Sequence, residues 1–299
     1  MIYFKLLRPK DWAKNLFLFL PLFFAGEIFD WGVLLNVGVG FIAFCCIASS
    51  IYIINDFADK EDDKKHPEKR NRPIASGAAS TRVVIIILLV LMCAGFSSFY
   101  LLNQKFFIIL TIYFLLNVGY SLGLKNIAIL DIFIIAVGFP LRVRAGGSVA
   151  DIGVTVWFNI MIFLLALFMA AGKRRDDVLI KISSGDDMRK SIKGYTLEFL
   201  NILLALISSI MIVSYFMYTL SERVIMQHGT NRLYLTGLFV MAGVMRYLQI
   251  IYVNADAGSP TKILYKDRFI QICILLWMIS FYFLIYLKNN SFLHIGNFQ

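Results

Sequence analysis

Apolar runs, each close to the roughly 20 residues that an α-helix needs to cross a hydrocarbon core, recur along the whole chain. Nine are legible, at about 15–30, 33–54, 83–102, 106–123, 127–149, 154–172, 197–220, 232–254 and 269–287. A backbone inside lipid must satisfy its own hydrogen bonds, which leaves only helices or closed barrels, and runs this long without alternating polarity exclude the barrel. The expectation is therefore an all-α, polytopic membrane protein with nine transmembrane helices, residues 1–299 forming a single integral-membrane domain. Composition agrees: 59% of the 299 residues are hydrophobic, 27 are Phe and only 16% are charged, too apolar for an ordinary soluble domain.

The net charge of +10 raises the question of nucleic acid, but the basic residues fall in alternate loops. Placing the N-terminus in the cytoplasm puts Lys5, Arg8, Lys10, Lys14, the 60–82 loop, Lys125, the 173–193 loop and the 262–268 loop inside. The other side keeps scattered cations such as Lys105, Arg223, Arg232 and Lys288. The positive-inside rule accounts for this asymmetry, so no nucleic-acid partner is expected. A cleaved signal peptide is not expected either, because the small-residue pattern after Leu22-Phe23-Phe24-Ala25-Gly26 is poor and further spans follow. Cys45, Cys46, Cys93 and Cys273 lie in apolar runs without CxxC spacing or a partnering His and read as core side chains.

Where the second run meets water the sequence is NDFADKEDDKKHPEKRNRP, residues 55–73. If this stretch continues the preceding helix, the 3.6-residue period brings Asn55, Asp56, Asp59 and Asp63 onto one face. Carboxylates about 5 Å apart repel by roughly 3 kcal/mol per pair at an effective dielectric near 20, so such a face wants a cation. Magnesium holding a diphosphate suits it, because Mg2+ uses a few carboxylates and takes its other ligands from water and phosphate. The alternative is a solvated, charge-rich loop, but solubility alone does not require acids first and at helical spacing. A second polar loop, 173–196, begins GKRRDD and emerges on the same side in this topology, so the two can face each other. By itself it reads equally as a block of charge ending a span. Arg142 and Arg144 in the fifth run and Arg246 in the eighth face a cavity or a partner, or else form structural ion pairs. Gly146-Gly147 either thins the fifth helix beside a ligand or packs helices together.

The pattern NDxxDxxxD in Asn55, Asp56, Asp59 and Asp63, continuing to Arg72-Pro73, resembles the first signature of the UbiA-type intramembrane prenyltransferase superfamily. That resemblance implies helices around a lipid-open central cavity with a cytosolic polar cap. Several segments are similar to the decaprenyl-phosphate phosphoribosyltransferase branch: RPKDWAKN at 8–15, residues 55–77, YSLGLKNIAILD at 120–131, Arg142 to Gly147, GKRRDD at 172–177 and RKSIKGYT at 189–196. The branch transfers 5-phosphoribose from phosphoribosyl diphosphate to a polyprenyl phosphate, releasing diphosphate. Its second motif is GKRxxE-like, and Asp177 stands here where that pattern has Glu, one carbon shorter.

The resemblance implies Mg2+ held on the diphosphate by Asp56, Asp59 and Asp63, with Asn55 as a neutral ligand or orienting donor. Arg70, Arg72, Lys173 and Arg174 would pair with phosphate oxygens, and Lys14, Lys125 and Arg142 with the acceptor head, while Tyr120 and Asp177 also fall to the substrates. A phosphate monoester is already an anion, so no strong base is needed, and His66, His228 and His294 lie far apart, with His66 near enough to the motif for a phosphate contact. The implied setting is a bacterial inner membrane with the site facing the cytoplasm, a bilayer and lipid phosphate as partners, and a homo-oligomer compatible with both. Two rivals share parts of the pattern. An aromatic prenyltransferase would use two spaced aspartates in the second loop, where Lys173-Arg174 stands instead. A membrane anion transporter could line a path with Arg142, Arg144 and Arg246, but no convincing inverted repeat is visible.

Overall fold

The computed structural model describes residues 2–65, 69–184, 190–253 and 260–286, and every regular element among them is helical. Eight segments are long and apolar enough to cross a bilayer. They are built on α1 (Trp31–Ala58), α2 (Thr81–Phe96, prolonged by Ser98–Leu101), α3 (Gln104–Leu122) and α4 (Leu130–Ala150), then α5 (Val156–Ser184), α6 (Leu197–Thr219), α7 (Gly237–Tyr252, preceded by the 3-10 turn Arg232–Thr236) and α8 (Arg268–Tyr286).

The first apolar run takes another form: Pro9–Phe19 is a 3-10 helix of 11 residues and Leu20–Ala25 an α-helix of six. Pro21 lacks the N–H that would bond the Phe17 carbonyl in an α-helix, and that carbonyl accepts from Leu20 three residues on. At about 2.0 Å per residue for 3-10 and 1.5 Å for α geometry, the two segments extend about 31 Å, comparable with a hydrocarbon core. The run is thus long enough to span, although among the described residues the long α-helices number eight.

The chain divides into two compact units, Met1–Val154 and Thr155–Gln299. In the first, α1 starts at Asp30, whose side chain accepts from Val33 N at 3.1 Å, and α3 starts at Asn103, which accepts from Phe106 N at 2.8 Å. Leu18, Leu22, Phe44, Ile47, Phe106, Leu110, Tyr113 and Ala145 interlock as the core. Lipid tails are as apolar as Leu, so close van der Waals fit rather than escape from water holds such helices together. Gly146 shows how close the fit is: a Cβ there would lie 1.8 Å from the Leu18 carbonyl oxygen. With α4 unbroken through Ala150, Gly146-Gly147 is a packing device, and Pro140 does not end the helix.

In the second unit α6 is capped by Thr196, which accepts from Phe199 N at 3.1 Å, and Trp277 on α8 donates to the Tyr215 hydroxyl of α6 at 2.7 Å. Arg246 of α7 donates to Asp267 at the start of α8 from Nε at 3.1 Å and Nη2 at 2.8 Å, and to Gln249 at 2.9 Å. Of the two readings open for this arginine, the structural ion pair is the one realised.

Candidate functional site

α1 ends at the acidic motif, with Asp59 as its C-cap. Backbone bonds continue helically through it, Asp59 N to Asn55 O at 2.9 Å and Asp63 N to Asp59 O at 2.8 Å, into the short helix Lys60–Lys65. The four motif side chains therefore stay close, but they divide into two pairs. Asp56 and Asp63 converge on Arg72, whose Nη1 donates to Asp56 Oδ1 at 3.1 Å and Asp63 Oδ2 at 2.6 Å. Arg8 Nη2 donates to the same Asp56 oxygen. Asn55 and Asp59 form the second pair: Lys125 Nζ donates to Asp59 Oδ1 and, at 3.1 Å, to Asn55 Oδ1, while Asn55 Nδ2 donates to Asp59 Oδ2 at 3.1 Å. Three carboxylates thus face three cations.

Local sequence explains how the cations are presented. Arg72 is followed by buried Pro73, Ile74 and Ala75, and Ile74 packs with Leu6, Ile53, Ala79 and Val84. The turn is closed by Arg72 N on Lys69 O at 2.9 Å and Ser76 N on Arg72 O at 2.9 Å, so its backbone is pinned beside the end of α1. Lys125 sits in the 3-10 turn Leu124–Asn126, entered through Gly123 at φ 152 after α3. Asp56 and Asp63 are each only 3% exposed, which makes their pairing with guanidinium obligatory in the ligand-free chain.

Among the described residues no three His, Cys, Asp or Glu side chains are gathered closely enough to hold a metal. The donor chemistry nonetheless fits Mg2+ at the first pair, because oxygens from two carboxylates already meet at one cationic nitrogen.

The other residues singled out from sequence are dispersed. Lys14 is half exposed and pairs with Asp11 at 2.6 Å. Among the described residues exposed Arg70 and half-buried Tyr120 join neither cluster. Arg142 is 5% exposed and sealed: Nε donates to Asn15 Oδ1 at 2.9 Å, Nη1 to Gly138 O at 2.9 Å and Nη2 to the Tyr113 hydroxyl at 2.7 Å. The rings of Tyr113, Phe139 and Phe44 lie 4.8, 5.1 and 5.9 Å from its guanidinium carbon. Its hydrogen-bond partners are all neutral.

The GKRRDD motif, expected to open a loop, lies inside α5, which continues to Ser184. Lys173 is exposed, whereas Arg174 is 2% exposed and pairs with Asp177 one turn on. That short internal pair lets the helix carry the charges without stopping. Asp177 thereby serves Arg174 in the ligand-free chain. Neighbouring Arg175 is buried too, with Nε on Asn201 at 2.8 Å and Nη2 on the Ile251 carbonyl at 2.9 Å. His66, Lys288 and His294 lie outside the described residues, and His228 is buried at the end of the short helix Glu222–His228. Sequence reasoning missed Arg8, Asn15, Tyr113 and Arg175 as members of these networks. The first two stand in the RPKDWAKN segment, which was the available signal, while Tyr113 is one hydroxyl in an apolar run.

The sequence of residues 16–177 matches the UbiA prenyltransferase family. The decaprenyl-phosphate phosphoribosyltransferase of Mycolicibacterium smegmatis is 34% identical over 287 residues, covering 92% of this chain and 89% of that one. The enzyme of the same name from Corynebacterium glutamicum is 30% identical over 290 residues, covering 95% and 86%. In fold, the chain is similar to a UbiA homolog from Archaeoglobus fulgidus solved with DMAPP and Mg2+, with a TM-score of 0.71 at 19% identity over 95% of this chain and 99% of that one. Helical architecture, acidic motif and sequence likeness agree, and the chain belongs to the UbiA prenyltransferase family.

Proposed function

We propose that this chain transfers 5-phosphoribose from phosphoribosyl diphosphate to a polyprenyl phosphate, releasing diphosphate, at the cytoplasmic face of a bacterial inner membrane and in the service of cell-envelope glycan synthesis. The carrying observation is the convergence of Asp56 and Asp63 on one cationic nitrogen, in a chain similar along almost its whole length to transferases of that name.

In this reading Asp56 and Asp63, with Asp59 and Asn55 beside them, hold Mg2+. When bound, the ion supplies Lewis-acid neutralisation of the charge that builds on the leaving diphosphate. Arg72 and Lys125 turn from the carboxylates to phosphate oxygens, Arg as a planar fork and Lys as a point charge. The donor carries about five negative charges, so Arg70 is assigned to further phosphate oxygens. Lys173 of the second unit is kept as a candidate phosphate contact, with Arg174 and Asp177 fixing its motif. Lys14 is assigned to the acceptor phosphate and Tyr120 to the substrate. Arg142 acts at one remove, holding Asn15 and Tyr113. The acceptor is an anion without help from a base, consistent with a motif that offers carboxylates and cations.

A second reading is favoured by the solved fold neighbours that carry prenyl diphosphates with Mg2+: transfer of a prenyl group to an aromatic acceptor. One assay separates them. Purified protein in detergent is given Mg2+, labelled phosphoribosyl diphosphate and undecaprenyl or decaprenyl phosphate, and label is expected in the lipid phase. Asp59→Asn is expected to lower transfer by about 100-fold or more while leaving the protein folded. No transfer of label, alongside transfer from a prenyl diphosphate to an aromatic acid, would replace the first reading by the second.

A further inference from the structure

Arg8 holds an unusual backbone conformation beside the site. Its φ of 49° and ψ of 60° are left-handed, unfavourable for any residue with a side chain and more so ahead of a proline such as Pro9. The surroundings enforce it: Leu6 is buried in the cluster around Ile74, the Leu7 carbonyl accepts from Ser49 Oγ at 2.9 Å and Trp12 Nε1 at 3.2 Å, and the Arg8 carbonyl accepts from Asp11 N at 2.8 Å. This clamp aims the guanidinium across Tyr52, 4.9 Å from the ring centroid, onto Asp56 Oδ1. That oxygen also accepts from Arg72 Nη1 at 3.1 Å, so one carboxylate oxygen carries two guanidinium groups.

One arginine suffices to neutralise one aspartate. Arg72 lies closer to Asp63, at 2.6 Å, than to Asp56, at 3.1 Å, so it serves both carboxylates, and Asp56 takes Arg8 in addition to its share of Arg72. We propose that Arg8 is a further diphosphate-binding residue, held on Asp56 as a stand-in cation until a divalent ion takes the carboxylate, and then turned to the phosphate oxygens that arrive with the ion. This rests on the metal reading above.

The balance of charge gives the exchange a sign. A divalent ion alone must displace Arg8 with no anion to receive it. Diphosphate alone meets carboxylates. Together they satisfy every group, so each strengthens the other's binding. Removal of Arg8 therefore acts in opposite directions: the metal alone binds more tightly, and the gain conferred by diphosphate shrinks. A residue that merely held the segment in place would weaken both.

The test is a Mn2+ titration of the full chain in detergent, followed by electron paramagnetic resonance, with and without inorganic diphosphate. The variants are Arg8→Gly, which removes the cation and suits the left-handed backbone, Arg8→Lys, which keeps the charge, and Asp56→Asn. In Arg8→Gly, Mn2+ alone is expected to bind about tenfold more tightly, and the enhancement by diphosphate to fall about tenfold, with Arg8→Lys close to the native chain. Unchanged or weakened Mn2+ binding in Arg8→Gly, or an intact enhancement, overturns the role of Arg8 when Asp56→Asn has lost Mn2+. If Asp56→Asn binds Mn2+ as the native chain does, the metal reading itself falls, and the proposal with it.

Discussion

Replacing Arg142 by Met tests whether a buried charge with neutral partners stabilises this bundle. The native guanidinium has three hydrogen-bond acceptors, Asn15 Oδ1, Gly138 O and the Tyr113 hydroxyl, within a box of three rings. Met fills much of the same volume. Gly138 O lies one turn back in α4 and keeps its place in the helix ladder, so the groups stranded are Asn15 Oδ1 and the Tyr113 hydroxyl. At about 1–3 kcal/mol for each buried polar group left without a partner, the loss is about 2–6 kcal/mol. Release from burying the guanidinium offsets part of it, which places the net cost at about 3 kcal/mol. For a chain of 299 residues that is a fall of about 5 °C in melting temperature. The assay is a double-mutant cycle in detergent with Tyr113→Phe. Phe removes one stranded hydroxyl, so the double variant is expected to recover about 1–2 kcal/mol relative to Arg142→Met alone. If Arg142→Met melts with the native chain, or the two changes simply add, the assignment of Arg142 as a clamp between the first segment, α3 and α4 is refuted.

Gly146→Ala would place a methyl 1.8 Å from the Leu18 carbonyl oxygen, and an overpacking cost of about 3 kcal/mol is expected in thermal melts. Gly119→Ala, whose nearest neighbour would be the flexible Leu124 Cδ1 at 3.3 Å, is expected to be neutral or slightly stabilising. The Asp267 carboxyl is held below the usual carboxylate range, chiefly by the hydrogen bonds from Arg246 and further by the Ile270 amide. A depressed folded-state pKa contributes stability above the unfolded value of about 3.9 and loses it as pH falls through the lower folded value. The melting-temperature gap between the native chain and Asp267→Asn should therefore be constant near neutrality and close below about pH 4; a gap that widens in acid would contradict the pairing.

The helical, membrane-spanning class was legible because membrane thickness imposes a length that few residues can disguise, whereas nine spans were expected and eight long α-helices are found among the described residues. Where the expectation and the structure differ, the cause is local chemistry that hydropathy does not see. Pro9 and Pro21 turn the first run into 3-10 and short α segments while leaving its apolarity intact. The Arg174–Asp177 pair lets α5 run on through residues that read as a loop. At the motif, the acidic spacing placed the carboxylates on one stretch of chain, and helix geometry kept them together. Their partners were a different matter. Arg8 and Lys125 reach Asp56 and Asp59 from 48 and 66 residues away, a pairing decided by tertiary packing and invisible to any local pattern. Arg142 is the converse case: hydropathy marks a charge at membrane depth but not the neutral cage of Asn15, Gly138 and Tyr113 that holds it.

The charge count at the motif bears on which donor the chain accepts. Asp56, Asp59 and Asp63 are balanced by Arg8, Arg72 and Lys125, and a magnesium diphosphate, about one negative charge overall, can enter that set without upsetting it. A prenyl diphosphate asks for nothing more. Phosphoribosyl diphosphate brings a further phosphate of about two charges, which needs cations from outside the balanced set. Within the first unit Arg70 is exposed and joins neither carboxylate cluster among the described residues. Discrimination between the two donors should therefore reside in cations that the acidic motif does not use, because any cation already spent on a carboxylate serves both donors alike.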